Sequence, residues 1–314
     1  MIKISCLLSG LSFFLSSLTL CDAQGGGGAG AFLVLAGDAL KVGMGGAAVA
    51  VPDHGSVLTT NPAGMAFLEE RGISASYRFL SLDRRHSTIS YTHSLASGAG
   101  FGVGWISAGV GDIEGRDLNG RRTGNIGDSE NAFLFAFSKG LGRHGALGLT
   151  FTLLNHRLGG RSEASSATGF GLDLGIVGRL TERWVVGIAA HNLRAHLSWK
   201  TPVEDRSSQT RDVIPVRWTL GGAYTTGHVL MTAEGEWTED TGGILRTGMS
   251  WTMSRSFTVM TGIGRSSGEE RWMTPAFGCA VRRPWNGTVE IRYAYNSDPI
   301  DAGGGHVLTV VIGW

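Results

Sequence analysis

From Gly72 to the last residue the chain alternates apolar and polar side chains with a period of two, in stretches of about ten residues bounded by Gly, Asn, Asp or Ser. Fourteen such stretches stand out, at about 72–80, 86–95, 98–108, 129–138, 144–157, 167–180, 183–193, 214–225, 227–238, 243–253, 256–265, 272–282, 286–296 and 304–314. One face is persistently apolar: Phe133, Phe135 and Phe137; Leu147, Leu149, Phe151 and Leu153; Val289, Ile291, Tyr293 and Tyr295. The other is small or polar, as in Gly148, Thr150 and Thr152, or Glu290, Arg292 and Asn296. A soluble sandwich would turn the apolar face inward, whereas an outer-membrane barrel turns it to lipid. The connections separate the two. Tight turns at 96–97, 139–143, 181–182, 226, 254–255 and 283–285 alternate without a break with longer segments at 81–85, 109–128, 158–166, 194–213, 239–242, 266–271 and 297–303. A barrel with both termini on the periplasmic side needs that alternation, and a sandwich has no reason to keep it. The expected fold is therefore all-β, a 14-stranded antiparallel outer-membrane β-barrel with a small, partly helical N-terminal hatch.

Composition narrows the function classes. Glycine is abundant, 50 residues against 7 prolines, without a collagen period, which points to crowded backbones within strands. A net charge of +1 leaves no basic footprint for nucleic acid. The one long apolar run, 4–20, follows Lys3 and precedes Ala23, so 1–23 reads as a secretory signal cut before Gln24. The alternative, lipidation at Cys21, is disfavoured by Leu20 before it. After cleavage only Cys279 remains, on the face of Phe277 and Val281, so no internal disulfide is expected.

Residues 24–71 differ from everything after them and read as a hatch, with 72–314 as the barrel. The segment carries Gly43-Met44-Gly45-Gly46 and then Asn61-Pro62-Ala63-Gly64. Asn61-Pro62 favours a turn with Pro62 opening a helix, and Ser56 or Thr60 could cap short helices. The expectation is a compact plug of small residues.

The alternation assigns Arg78, Asp173, Glu234, Glu236, Arg246, Glu290 and Arg292 to the lumen, because an arginine at the lipid midplane costs about 2–4 kcal/mol. They read either as a polar track anchoring the hatch or as ion pairs filling the lumen. Glu234 and Glu236 share a face for reasons of strand geometry alone. No Gly-x-Ser-x-Gly elbow, phosphate loop or metal-spaced His/Cys pair accompanies them, so neither catalysis, metal nor cofactor is expected. His191 and His196 read as a rim and a loop residue. Gly98-Ala-Gly-Phe-Gly-Val-Gly has the look of a dinucleotide fingerprint but continues as a strand, where its glycines make room for the hatch or kink the wall. Trp184, Trp218, Trp237, Trp251, Trp272 and Trp285 near strand ends suit interfacial girdles. Asn286-Gly287-Thr288 fits a glycosylation acceptor but falls in a tight periplasmic turn.

Leu308, Val310, Ile312 and terminal Trp314 resemble the signal by which bacterial outer-membrane barrels are passed to their assembly machinery. Asn61-Pro62-Ala63-Gly64 after a Gly/Ala-rich segment, ahead of fourteen strands, resembles the FadL-type long-chain fatty-acid transporter superfamily. The run from Leu40 to Val51 with that motif about ten residues later is most similar to its PorV/PorQ-type branch, as is Asn192-Leu193, although Arg194 replaces a glycine. The resemblance implies a hatch inside the barrel, outer-membrane localisation and contact with outer-membrane lipid. It also implies either passage of a hydrophobic small molecule or work with secretion-system proteins of type IX kind, the alternative being a binding scaffold without transport. The two longest loops, with Arg116, Asp117, Arg121 and Arg122 and then Lys200, Glu204, Asp205, Arg206 and Arg211, are more charged than an acyl groove and suit a partner.

Overall fold

The structure, a computed structural model, describes residues 28–314 apart from 36, 96–97, 161–163, 204–205, 239–241, 267–272 and 298–303. The stretch read as a signal, 1–23, lies outside the described residues, as do Glu204, Asp205 and Trp272. Four short helical segments come first, followed by fifteen strands among the described residues. They are β1 (Gly72–Phe79), β2 (Arg84–Leu95), β3 (Ala99–Arg116), β4 (Arg122–Leu141), β5 (Gly145–Gly159), β6 (Ala164–Arg179), β7 (Trp184–Val203) and β8 (Arg206–Val213). Then come β9 (Arg217–Thr226), β10 (Val229–Thr238), β11 (Gly242–Thr252), β12 (Phe257–Ser266), β13 (Met273–Pro284), β14 (Thr288–Ser297) and β15 (Gly304–Gly313).

Fourteen of these close into one antiparallel barrel. Neighbours in sequence pair throughout, except that β7 pairs with β9, and β15 returns to β1. β8 stands outside the ring and pairs only with the outer part of β7. Closure matters because lipid offers no partner to a backbone N–H or C=O, so an open edge could not survive there. The period of two becomes two surfaces. Ile89, Trp105, Phe133 and Leu153 face one another in register across β2 to β5 and are exposed on the outside. Ser76, Thr150 and Thr309 are buried within. Trp184, Trp218, Trp237, Trp251 and Trp285 are exposed at or beside strand ends. Cys279 is half-buried, in register with Val259 and Tyr293.

The structure changes the expected outline in two places. Most of 109–128 and 194–213, read as loops, is strand: β3 and β4 run on as a hairpin to Arg116 and Arg122, and β7 and β8 form another. Their outward residues are largely polar, as in Arg194, His196, Ser198 and Lys200 of β7, so the outward apolar period that announces the other strands is missing, although Ala195 and Leu197 are buried inside. The kink considered for Gly98 to Gly104 is absent as well. β3 keeps an unbroken register with β4 from Ala99 to Val110, and those glycines serve instead to admit the hatch.

An arginine replacing Phe135 in the outer band should cost about 2–4 kcal/mol. Urea titration of the Phe135→Arg protein in lipid vesicles is expected to show that loss; an unshifted midpoint would contradict the assignment of that face to lipid.

Candidate functional site

The interior is occupied by residues 28–71, which do not form a ball but run around the inside of the wall. A 3-10 turn, Ala31–Leu33, sits beside Ile214 and β2, where the Phe32 carbonyl accepts a hydrogen bond from His86 Nε2 at 3.2 Å. Helix α1 (Ala39–Gly43) lies against β12 to β15, with Ala39 N donating to Thr309 Oγ1 at 2.9 Å. The chain then passes β11, β10 and β7, returns past β14 and β1, and runs through helix α2 (Val57–Thr60) and a 3-10 helix (Pro62–Phe67) along β6, β5, β4 and β3.

What allows so close an approach is the absence of side chains on the wall. A Cβ on Gly148 would meet the Pro62–Ala63 peptide, one on Gly187 the Val49 carbonyl, and one on Gly262 the backbone of Met44 and Gly45. Much of the high glycine content is thus a groove cut into the wall for this segment. Gly45 and Gly46, with φ of 66° and 93°, make the bend that carries the chain past β11 and β12.

Asn61 ties the groove together. Its Oδ1 caps the 3-10 helix through Ala63 N at 3.2 Å, and Pro62 takes the first helical position. Its Nδ2 points to three carbonyls: Val49 at 3.0 Å, Ile176 of β6 at 3.0 Å and Ile188 of β7 at 3.3 Å. Ser56 precedes α2 but makes no side-chain cap; the Thr59 and Thr60 hydroxyls donate to its carbonyl instead.

Buried charge fastens the segment at two further points. Arg292 of β14 holds Asp53 with two bonds, 2.9 and 2.7 Å, and reaches Asp38 Oδ2 at 3.4 Å and Glu290 Oε1 at 2.7 Å. Asp38 at the same time caps α1 through Leu40 N (2.8 Å) and Lys41 N (3.2 Å). Burial pushes the Asp38 carboxyl up to about 6 against the pull of Arg292. Burial acts on Asp53 in the same sense, but the guanidinium facing it holds it below the usual carboxylate range. Across the lumen, Glu234 Oε2 accepts from Ala48 N and Val49 N, both at 2.8 Å, while Arg246 and Arg217 bridge Glu236 at 3.0 and 3.2 Å.

Beside the hatch, on the β3 to β7 side, the lumen is filled by a packed apolar cluster, a region called the chamber below. Phe32, Ile106, Leu134, Leu154, Leu197 and Ile214 are buried against one another inside the barrel. A polar collar lies toward the loop end, with His156 Nε2 2.6 Å from Asp128 and Trp199 Nε1 donating to Asp212 at 2.6 Å. At the chamber's edge the wall is interrupted. β7 gains an extra residue against β6 twice, between Ala190 and Leu193 and again between Leu193 and His196. Its pairing with β9 ends at His191, and pairing with β8 begins at His196. Asn192 and Arg194 adopt φ of 62° and 54° here, a left-handed conformation costly for arginine. Asp173 stabilises the break by accepting from Asn192 N at 2.8 Å and from His191 Nδ1 at 3.2 Å. Pro215, whose carbonyl accepts from Asn192 Nδ2 at 3.3 Å, has no N–H to leave unpaired.

All seven lumen charges read from the alternation face inward, yet they do not form one track. Arg292 with Glu290, and Arg246 with Glu234 and Glu236, make two separate anchors; Asp173 serves the break in β7, and Arg78 bonds Asn296 at 2.9 Å. His191 is buried in the wall rather than at a rim, and His196 is a half-buried strand residue rather than part of a loop. Leu308 and Ile312 point outward, and Trp314 pairs by backbone with Arg71. Sequence reasoning missed Asp38, Asp53, Phe32 and Ile214.

The closed 14-stranded antiparallel barrel matches the fold of FadL-like barrels. The chain superposes on the crystal structure of a Pseudomonas aeruginosa FadL homologue with a TM-score of 0.65 at 12% identity, covering 88% of this chain and 98% of that one. The Pseudomonas putida toluene transporter TodX gives 0.65 at 13% identity, over 90% of this chain and 99% of that one. The Ralstonia pickettii toluene transporter TbuX gives 0.63 at 12%, over 90% and 98%. No protein-family profile and no curated protein sequence matches the chain.

Replacing Arg292 with Gln strands two buried carboxylates, a change that typically costs about 3–5 kcal/mol. The Arg292→Gln barrel is expected to insert normally but to show large conductance openings in planar bilayers; conductance like the wild type's would contradict an anchoring role.

Proposed function

We propose that this protein sits in the outer membrane and carries small apolar molecules across it, taking them from the loop side into the chamber beside the hatch. The observation that carries this reading is the apolar cluster inside the barrel. The lumen of an outer-membrane barrel is ordinarily polar, yet here one side is lined by Ile106, Leu134, Leu154, Leu197 and Ile214. Two of the similar structures are described as toluene transporters, and a third, CymD, as a monoaromatic hydrocarbon channel (TM-score 0.64, 10% identity).

The route follows from what closes it. Phe32 fills the chamber, and the hatch blocks the way to the periplasm through Asn61, Glu234 and Arg292. An apolar solute gains little from water below, whereas the interruption at Asn192 to Ala195 offers a way sideways into the bilayer, where its transfer is favourable. Secretion partners have only the charged hairpins in their favour, and that reading is not adopted.

Leu197→Glu places a carboxylate in the chamber. Toluene flux into proteoliposomes is expected to fall at least tenfold, with Leu197→Met near the wild type and both variants inserting equally. Equal flux through the Glu variant would overturn the proposal.

A further inference from the structure

A groove on the outer wall, at the loop end of β2 to β5, is separate from the lumen. It encloses about 310 Å³ between the side chains of Arg85 and Arg157. Its floor is small: Gly111, Gly127, Ser129 and Gly159. A register shift falls beside it, between Val110 and Ile113 of β3.

The register explains why both arginines reach one place. Arg85 pairs with Gly109, Gly109 with Ser129 and Ser129 with Arg157, so the two cations flank two small residues in a single row across four strands. Three strand spacings separate their backbones by about 14 Å, a gap that two arginine side chains can largely close. Both lie on the outward face, since their strand neighbours two residues on, Ser87 and Asn155, belong to the same row series as exposed Ile89 and Leu153. Among the described residues neither arginine makes an ion pair or a side-chain hydrogen bond. Asp128 also lines the groove, but its Oδ1 lies 2.6 Å from His156 Nε2, and Glu114 pairs with Arg116 at 2.5 Å.

The rows below supply the rest of a ligand's outline. Beneath the arginine row comes Ser87, Ser107, Asn131 and Asn155, and beneath that the apolar rows beginning with Ile89, Trp105, Phe133 and Leu153. A cationic pair over a polar row over an apolar wall matches an amphiphile whose head is a phosphate and whose tails are hydrocarbon. Arginine suits that head because its fork donates two parallel bonds to phosphate oxygens.

We propose that this groove binds the phosphate of a phosphorylated outer-leaflet lipid, its acyl chains lying down the apolar rows. The proposal rests on the outer-membrane placement given above, but not on transport.

The test is native mass spectrometry of the detergent-purified full chain with three probes: hexa-acylated lipid A bearing both phosphates, the same lipid with both phosphates removed, and inorganic phosphate. The wild type is expected to retain lipid A, with neither other probe held. Retention should fall at least tenfold in the double variant Arg85→Gln/Arg157→Gln. The same fall is expected in Ser129→Glu, which keeps both arginines and puts a carboxylate between them. Heat-modifiable gel mobility checks that each variant is folded; all three positions are exposed. Equal retention by either variant, equal retention of the dephosphorylated lipid, or capture of inorganic phosphate without preference for the lipid would each overturn the proposal. Toluene flux should be unchanged in both variants, so this site and the transport reading can fail independently.

Discussion

The fit of residues 28–71 into a glycine-lined wall is the constraint from which the rest follows. A barrel of this size encloses more space than its inward side chains fill, and something must occupy it or leave it open to water. Here the occupant is the chain's own N-terminal segment, laid so close that backbone meets backbone at Gly148, Gly187 and Gly262. Close approach desolvates whatever lies between, so every polar group caught there needs a partner. Asn61, Glu234 and Arg292 supply those partners, taking up hatch amides, hatch carboxylates and one hatch carbonyl. The groove fixes where the segment runs, and the three polar clamps fix its register.

That division leaves the two sides of the lumen chemically unlike. On the β9 to β15 side, arginines and glutamates fill the space around the hatch. On the β3 to β7 side the filling is apolar and includes Phe32, which belongs to the hatch rather than the wall. An apolar lining inside a membrane barrel contributes nothing to lipid contact; its place is explained by packing against the hatch, and it suits the passage proposed above. The break in β7 adjoins this side and not the other. Its cost, two non-glycine residues at positive φ, is met locally by Asp173 and Pro215.

How much of this the sequence discloses depends on whether a feature is local. The outer face is legible because lipid contact imposes a period of two on every strand, and the inward placement of Glu290 and Arg292 follows from the same count. The hairpin extensions beyond 109 and 194 are not legible, because their outward residues are largely polar and the outward apolar period stops there, even though Ala195 and Leu197 are buried within. Nor can the anchors be read from residues near them: Asp38 and Asp53 are ordinary acids in turns until the fold brings them to Arg292, 254 and 239 positions away. Glycines along the wall stand out by number, but which of them face the hatch depends on register around the whole barrel. Arg194, where the family resemblance implies a glycine, adopts a glycine-like backbone at the interruption in the wall.

The central claim is that an apolar solute occupies the chamber inside the barrel. Anomalous scattering from crystals soaked in iodobenzene tests it most directly. The account predicts an iodine peak among Ile106, Leu134, Leu154, Leu197 and Ile214, with the Phe32 side chain displaced; peaks confined to the outer wall, with the chamber unchanged, would contradict it.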